Sequence, residues 1–118
     1  MNPKPLIASA DLARRIEARE CVVVDCRFEL LAPGRGYEKY LAGHIPGARY
    51  AHLDNDLSGA RTPSGGRHPL PDAGDFAACL GRLGIAAGDY VAAYDDAGGA
   101  IAARVWWRLR WIGHADTA

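Results

Sequence analysis

The run from Asp89 to His114, Asp-Tyr-Val-Ala-Ala-Tyr-Asp-Asp-Ala-Gly-Gly-Ala-Ile-Ala-Ala-Arg-Val-Trp-Trp-Arg-Leu-Arg-Trp-Ile-Gly-His, constrains the fold more than any other stretch. It predicts a short apolar strand over Tyr90–Tyr94, an acidic, glycine-containing loop over Asp95–Gly99, and a strongly apolar helix. The helix should stop at Gly113, where a left-handed C-cap meets no Cβ clash. A strand, loop and helix in this order belong to open α/β sheets. There the loop leaving the carboxyl end of a strand and the N-terminus of the next helix turn their N–H groups toward one point. Such a cradle suits an anion. Its first residue, Asp95, is already an anion and a poor nucleophile, so the chain is expected to fill the cradle with its own carboxylate.

The remaining elements follow the same rhythm. Ser9 is placed to N-cap a helix from about Ala10 to Arg19, with Asp11 in its first turn and Leu12 and Ile16 on one face. Cys21–Cys26 (Cys-Val-Val-Val-Asp-Cys) is a β-branched run of the kind buried on both faces of a parallel sheet. Tyr37–Leu41 predicts a short helical turn closed by Gly43, and Gly43–Ala48 (Gly-His-Ile-Pro-Gly-Ala) a turn into a second short strand near Arg49–Ala51. His52–Pro71 has no apolar period and reads as a surface excursion. Asp72 or Asp75 can cap a helix through Phe76, Ala77, Leu80 and Leu83, stopped at Gly84. With the lead-in at Leu6–Ala8 this makes about four strands interleaved with helices. The fold class predicted is α/β, a parallel sheet with helices on both faces.

A chain of 118 residues is one domain by length. Fourteen basic side chains balance fourteen acidic ones, so no long-range field favours nucleic acid or an anionic membrane. The start, Met-Asn-Pro-Lys-Pro, lacks an apolar run, which predicts a cytoplasmic protein with no membrane span. Three cysteines without a Cys-x-x-Cys pair fit a reducing compartment and argue against a disulfide or zinc framework. No cofactor and no metal are expected.

Several residues invite a chemical reading. Asp95 and Asp96 could form an acid–base dyad, but without a neighbouring His or third carboxylate they read as loop residues capping the next helix. Arg104, at the unfavourable end of a helix dipole, needs an acidic partner, and Asp25 at a neighbouring strand end is the candidate for a structural ion pair. Cys21 and Arg27 have the C-x5-R spacing of cysteine phosphatases, yet the β-branched residues between them cannot curl around an anion. Cys26 reads as a buried bystander and Cys79 as core. Asp54–Gly59 imitates the first half of a calcium loop, but Gly65 stands where the bidentate Glu belongs. His44 should hydrogen-bond a backbone carbonyl in its turn. Trp106, Trp107 and Trp111 cannot share one helix face, so at least one must meet another layer or partner.

Val22–Arg27, Tyr40–Ala48 and Arg104–Arg110 (Arg-Val-Trp-Trp-Arg-Leu-Arg), in this order and with Leu83–Ile85 before the strand, resemble the rhodanese family. More narrowly, the chain is similar from Leu6 to His114 to the amino-terminal half of two-domain thiosulfate or 3-mercaptopyruvate sulfurtransferases. The resemblance implies a small rhodanese-like α/β domain. It also implies a reactive cysteine, in the other half, at the position matched here by Asp95. That cysteine carries sulfur as a persulfide to cyanide or a thiol. No catalytic residue is therefore expected here, and Asp95, Asp96, Gly98 and Gly99 form a pseudo-active-site loop. The family's domain continues into one more strand and helix. Residues 1–118 are accordingly read as one amino-terminal-type domain, incomplete at its C-terminus, whose partner is the catalytic domain of the same parent. The intact parent is expected to be a sulfurtransferase and the chain alone inactive. An open sheet edge would favour self-association. A stand-alone binding or regulatory module is the alternative, and a thiol enzyme using Cys26 a third reading.

Overall fold

The structure is a computed structural model that describes residues 6–29, 31–53, 56–58, 72–114 and 116–118. Its elements are α1 (Ser9–Glu17), β1 (Val22–Asp25), α2 (Arg35–Ala42), β2 (Arg49–Tyr50), α3 (Ala73–Arg82), β3 (Val91–Tyr94) and α4 (Ala102–Trp111). The strands form a parallel sheet in the order β2-β1-β3, with Val24 opposite Arg49 and Ala93, and Asp25 opposite Tyr50 and Tyr94. The Val-Val-Val run therefore occupies the centre, as a strand apolar on both faces must.

The pleat sorts the side chains by alternation. Val22, Val24 and Cys26, with Val91 and Ala93, join one apolar cluster that takes Phe76, Cys79 and Leu80 from α3, Ile101 from the N-cap of α4, and Val105 and Leu109 from α4 itself. On the opposite face Arg15 of α1 lies 3.8 Å over the Tyr90 ring, and Tyr37 and Tyr40 of α2 lie 5.3 and 5.5 Å from the Tyr50 ring. Helices cover both faces, as the sequence pattern predicts.

The expected fourth strand takes a different form. Leu6–Ala8 is not among the paired strands, whereas the last residues pair with the outer edge of β3. Val91 N–H donates to the Asp116 carbonyl, Ala118 N–H to Val91, and Ala93 N–H to Ala118, each at 2.9 Å. The β3 edge expected to lie open is thus occupied by the chain itself, and Thr117 there is fully buried. Three residues are too few to display a period, which is why the sequence pattern does not announce this segment.

The helix ends follow local chemistry. Asp72 caps α3 by accepting from the Gly74 and Asp75 amides at 3.0 and 3.4 Å. α4 closes in a Schellman arrangement, with His114 N–H on the Leu109 carbonyl at 2.8 Å, Gly113 N–H on Arg110 at 3.0 Å, and Gly113 at φ +92°. α1 closes the same way without glycine, because Arg19 itself adopts φ +58°. Ser9 does not cap α1. The helix begins at Ser9, and Ala8 takes the cap position with no side-chain acceptor. Among the described residues no helix is long and apolar enough to cross a membrane. The surface excursion read at His52–Pro71 lies largely outside the described residues.

Gly36 sets how closely α2 approaches the loop after β1. A Cβ there would overlap the Arg27 carbonyl and press the Tyr50 hydroxyl at 2.7 Å. Because the obstacle is mostly backbone, Gly36→Ala should lower stability by about 3 kcal/mol in a urea titration, despite alanine's better helix propensity. An unchanged midpoint would show that α2 does not approach the loop this closely.

Candidate functional site

The carboxyl ends of β1 and β3 carry most of the polar residues that the sequence singles out. The chain turns sharply after β3 through Gly98 and Gly99, at φ +69° and +91°, values that side chains with a Cβ rarely adopt. This path brings four amides onto one carboxylate. Asp95 Oδ1 accepts from Ala97 and Gly99 at 2.9 and 2.8 Å, and Oδ2 accepts from Ile101 and Ala102 at 2.8 Å each. Ala102 is the first residue of α4, so the site combines a loop concavity with a helix N-terminus. Burial raises the Asp95 pKa, but the four amides outweigh it and hold the carboxyl below its ordinary value. Chemically, the loop is an anion cradle whose anion is covalently attached.

Asp96 points the other way. It is exposed and forms an ion pair with Lys39 of α2 at 2.8 Å, and Lys39 also reaches Glu29 at 3.0 Å. The two adjacent aspartates therefore do not act as a dyad: one closes the loop and the other ties it to α2.

Asp25 differs from its expected role. Its carboxylate is fully buried, and its ion pair is made with Arg27 in place of Arg104. Arg27 Nη2 donates to Oδ2 at 2.7 Å, Nε lies 3.2 and 3.1 Å from the two oxygens, and the Arg27 amide donates to Oδ1 at 3.0 Å. Tyr94 Oη adds a fourth donor group at 2.7 Å. The loop leaving β1 folds Arg27 directly back over the strand end, a shorter path than any from α4. Arg27 Nη2 also donates to the Gly43 carbonyl at 2.6 Å, and the Ile45 amide donates to Tyr94 Oη at 3.2 Å, so this cluster fixes the Gly-His-Ile-Pro-Gly turn. Burial, aided by the Asp25 carboxylate and opposed by the Ile45 amide, pushes the Tyr94 hydroxyl up to about 12. The one available signal was an aspartate at a strand end with arginine two residues on.

Two of the three thiols are buried. Cys26 is fully buried and donates its S–H to the Tyr94 carbonyl at 3.2 Å. Burial, then the Asp95 and Asp25 carboxylates, push its pKa far above that of a free thiol. Cys79 packs in the core, and burial raises it to about 11. Cys21 lies just before β1 and Arg27 just after it, with Arg27 engaged by Asp25, so the C-x5-R pair shares no loop. His44 Nδ1 faces the Tyr40 carbonyl at 2.7 Å and its ring stacks on Tyr40 at 3.9 Å, a turn contact. In the calcium-like run Asp54, Asn55 and Gly59 lie outside the described residues, and Asp56 accepts from the His52 amide at 2.7 Å. Trp107 and Trp111 are 48% and 42% exposed, while Trp106 is half-buried, which divides the three indoles between surface and interior.

A parallel sheet with helices on both faces, whose strand β3 empties into an amide-ringed loop at a helix N-terminus, is an α/β fold suited to hold an anion. Residues 8–118 match the family described as Rhodanese-like domain, and the chain belongs to that family. It is 43% identical over 117 residues to a Pseudomonas aeruginosa protein named "Probable 3-mercaptopyruvate sulfurtransferase", covering 98% of this chain and 41% of that one. It is 38% identical over 109 residues to a thiosulfate sulfurtransferase of the same bacterium, covering 92% and 36%. Among solved structures, 3-mercaptopyruvate sulfurtransferase from Leishmania major superposes with a TM-score of 0.84 at 32% identity, over 94% of this chain and 31% of that one. SseA from Escherichia coli, a 3-mercaptopyruvate sulfotransferase of rhodanese fold, gives 0.82 at 29% identity, over 98% and 44%. The chain thus spans about two fifths of the length of the curated relatives it matches.

Asp95→Ala should cost about 1–3 kcal/mol, because it strips the acceptor from four amides that the loop holds together. The folded pKa of Asp95 lies below its unfolded value. Its contribution is therefore complete above the unfolded carboxylate range and is lost as pH falls through the folded pKa. The variant should accordingly lose less stability on acidification than the parent. Equal acid sensitivity in urea titrations would contradict the assignment. Cys26 should react with iodoacetamide at neutral pH only on the timescale of unfolding. Fast labelling in the folded state would overturn its burial.

Proposed function

We propose that this chain is a non-catalytic rhodanese domain of a two-domain sulfurtransferase. In this reading a cysteine of the second domain accepts sulfane sulfur from thiosulfate or 3-mercaptopyruvate and passes it to cyanide or a thiol. The observation that carries the reading is the Asp95 carboxylate seated on four loop amides. A thiolate in such a cradle could attack the donor's transferable sulfur and form a persulfide S–S bond as that sulfur's bond to the donor breaks, releasing sulfite from thiosulfate or pyruvate as its enolate from 3-mercaptopyruvate. A carboxylate oxygen held there supplies the negative charge but no sulfur nucleophile. The names of the similar proteins, and the two-fifths share of their length, support the sulfurtransferase parent and the second domain.

In this reading the partner of the chain is the catalytic domain of the same protein, and the whole works in the cytoplasm without a metal or cofactor. The role of residues 6–118 is structural: Asp95 closes its own loop, Asp25 braces the strand ends, and the surface around them forms one wall of the parent's cleft.

Assays of the purified chain with either donor and a cyanide or thiol acceptor should give no turnover above buffer. The coding region beyond Ala118 should contain a cysteine-led loop. Turnover by the chain itself, abolished on alkylating Cys26, would refute the proposal.

If the cradle is a general anion seat, Asp95→Cys should place a thiol on the same amides. Its apparent pKa should then fall below the ordinary value of about 8.5, read from the pH dependence of iodoacetamide labelling. A thiol titrating at or above that value would show that the loop closes only around a carboxylate.

A further inference from the structure

The bracing of Asp25 uses only part of the Arg27 guanidinium. Nε lies 3.2 and 3.1 Å from the two Asp25 oxygens, and Nη2 donates to Asp25 Oδ2 at 2.7 Å and to the Gly43 carbonyl at 2.6 Å. Nη1 takes part in neither contact and has no acceptor among the described residues. It is not sealed in. The Arg27 side chain keeps 18% of its surface exposed, and the buried polar atoms that lack a partner include Arg108 Nε but no atom of Arg27. Nη1 therefore reaches water just past the carboxyl end of β1, the end at which open parallel sheets hold their ligands.

The neighbouring carboxylates leave that nitrogen alone because each is engaged elsewhere. Asp95 is taken by its loop amides, and Lys39 holds Glu29 at 3.0 Å and Asp96 at 2.8 Å. Asp25 is fully buried while its partner is not, so an anion approaching from solvent meets the positive member of the pair first. Balancing a buried carboxylate requires a cation, which lysine would also supply. What arginine adds is a rigid fork with a further terminal nitrogen. With Nε and Nη2 fixed, that nitrogen is in place before any ligand arrives, and little rotamer freedom is lost on binding.

We propose that Arg27 Nη1 binds an oxyanion of the sulfur donor, the carboxylate of 3-mercaptopyruvate or the sulfonate-type oxygens of thiosulfate. The inference rests on the two-domain reading above and makes Arg27 a donor-binding residue of this wall, while the sulfur itself is handled by the second domain. Pyruvate and sulfite keep those oxygens after the sulfur has left and so bind the same nitrogen. The contact is a charge-assisted hydrogen bond, the stronger kind, and cyanide has no oxygen with which to make it.

The test is donor kinetics of the full-length protein with cyanide as acceptor. Arg27→Lys keeps a cation for Asp25 and removes Nη1. The KM for the donor should rise about tenfold, the loss of one charge-assisted hydrogen bond, with kcat and the KM for cyanide unchanged. A rise confined to 3-mercaptopyruvate assigns the carboxylate, and one confined to thiosulfate assigns the sulfonate-type oxygens. Arg14→Met on α1 should leave every constant as it was. An unchanged donor KM, or a kcat that falls alone, would make Arg27 only a brace of the strand ends and overturn the proposal. A full-length protein without turnover would remove the two-domain reading instead. In that case, or if Arg27→Lys fails to fold, titration of this chain with pyruvate and sulfite still decides. The guanidinium N–H signals of Arg27 in NMR spectra should move with either anion and stay still with neutral pyruvamide, and signals indifferent to both anions would overturn the assignment.

Discussion

Four backbone N–H groups after β3 point at one spot, and whatever anion occupies that spot determines the shape of the loop and the start of α4. Left empty, those amides would splay apart or bind solvent, since each unpaired donor at a partly buried position carries a desolvation cost. The chain meets the requirement with the nearest side chain, Asp95, at four contacts between 2.8 and 2.9 Å. The same geometry that could lower the pKa of a thiol and receive an anionic sulfur is here satisfied internally. In that sense the loop has the electrostatics of an anion site and supplies the anion from its own first residue.

The second fixed point is the Asp25 cluster, which holds the mouth of the sheet in register. A carboxylate with no exposed surface at the end of the central strand is tolerable only because Arg27 and Tyr94 deliver donors to it from the loop after β1 and from β3. From there the contacts run through Gly43 and Ile45 to the turn before β2 and, by way of Lys39, to Asp96 in the cradle loop. Removing Asp25 would leave a half-buried guanidinium and two hydroxyl or amide partners without their acceptor. The two aspartates therefore have separate tasks, one shaping the loop and one positioning the strands beneath it.

Much of this was legible in the residues. The strand, loop and helix from Tyr90 to Trp111, the Asp72 cap, the Gly113 stop and the capping role of Asp95 all depend on local chemistry, and local chemistry is written in short sequence windows. What was not legible depends on the path of the chain in space. Arg104 was the natural counter-charge for Asp25 by helix-dipole reasoning, but a two-residue loop brought Arg27 there first. The pairing of Asp116–Ala118 with β3 rests on three residues, and the left-handed Arg19 closes α1 without the glycine that normally signals such an end. The burial of Arg108 was likewise invisible, since a charged residue at the edge of an apolar stripe ordinarily reaches water.

Occupancy of the cradle by Asp95 is read atom by atom in an NMR pH titration. The Asp95 carboxyl carbon should titrate with a midpoint below the ordinary aspartate value of about 3.9, and the amide protons of Ala97, Gly99, Ile101 and Ala102 should move with the same midpoint. A carboxyl that titrates at or above that value, with the four amides indifferent to it, would show that Asp95 does not fill the cradle.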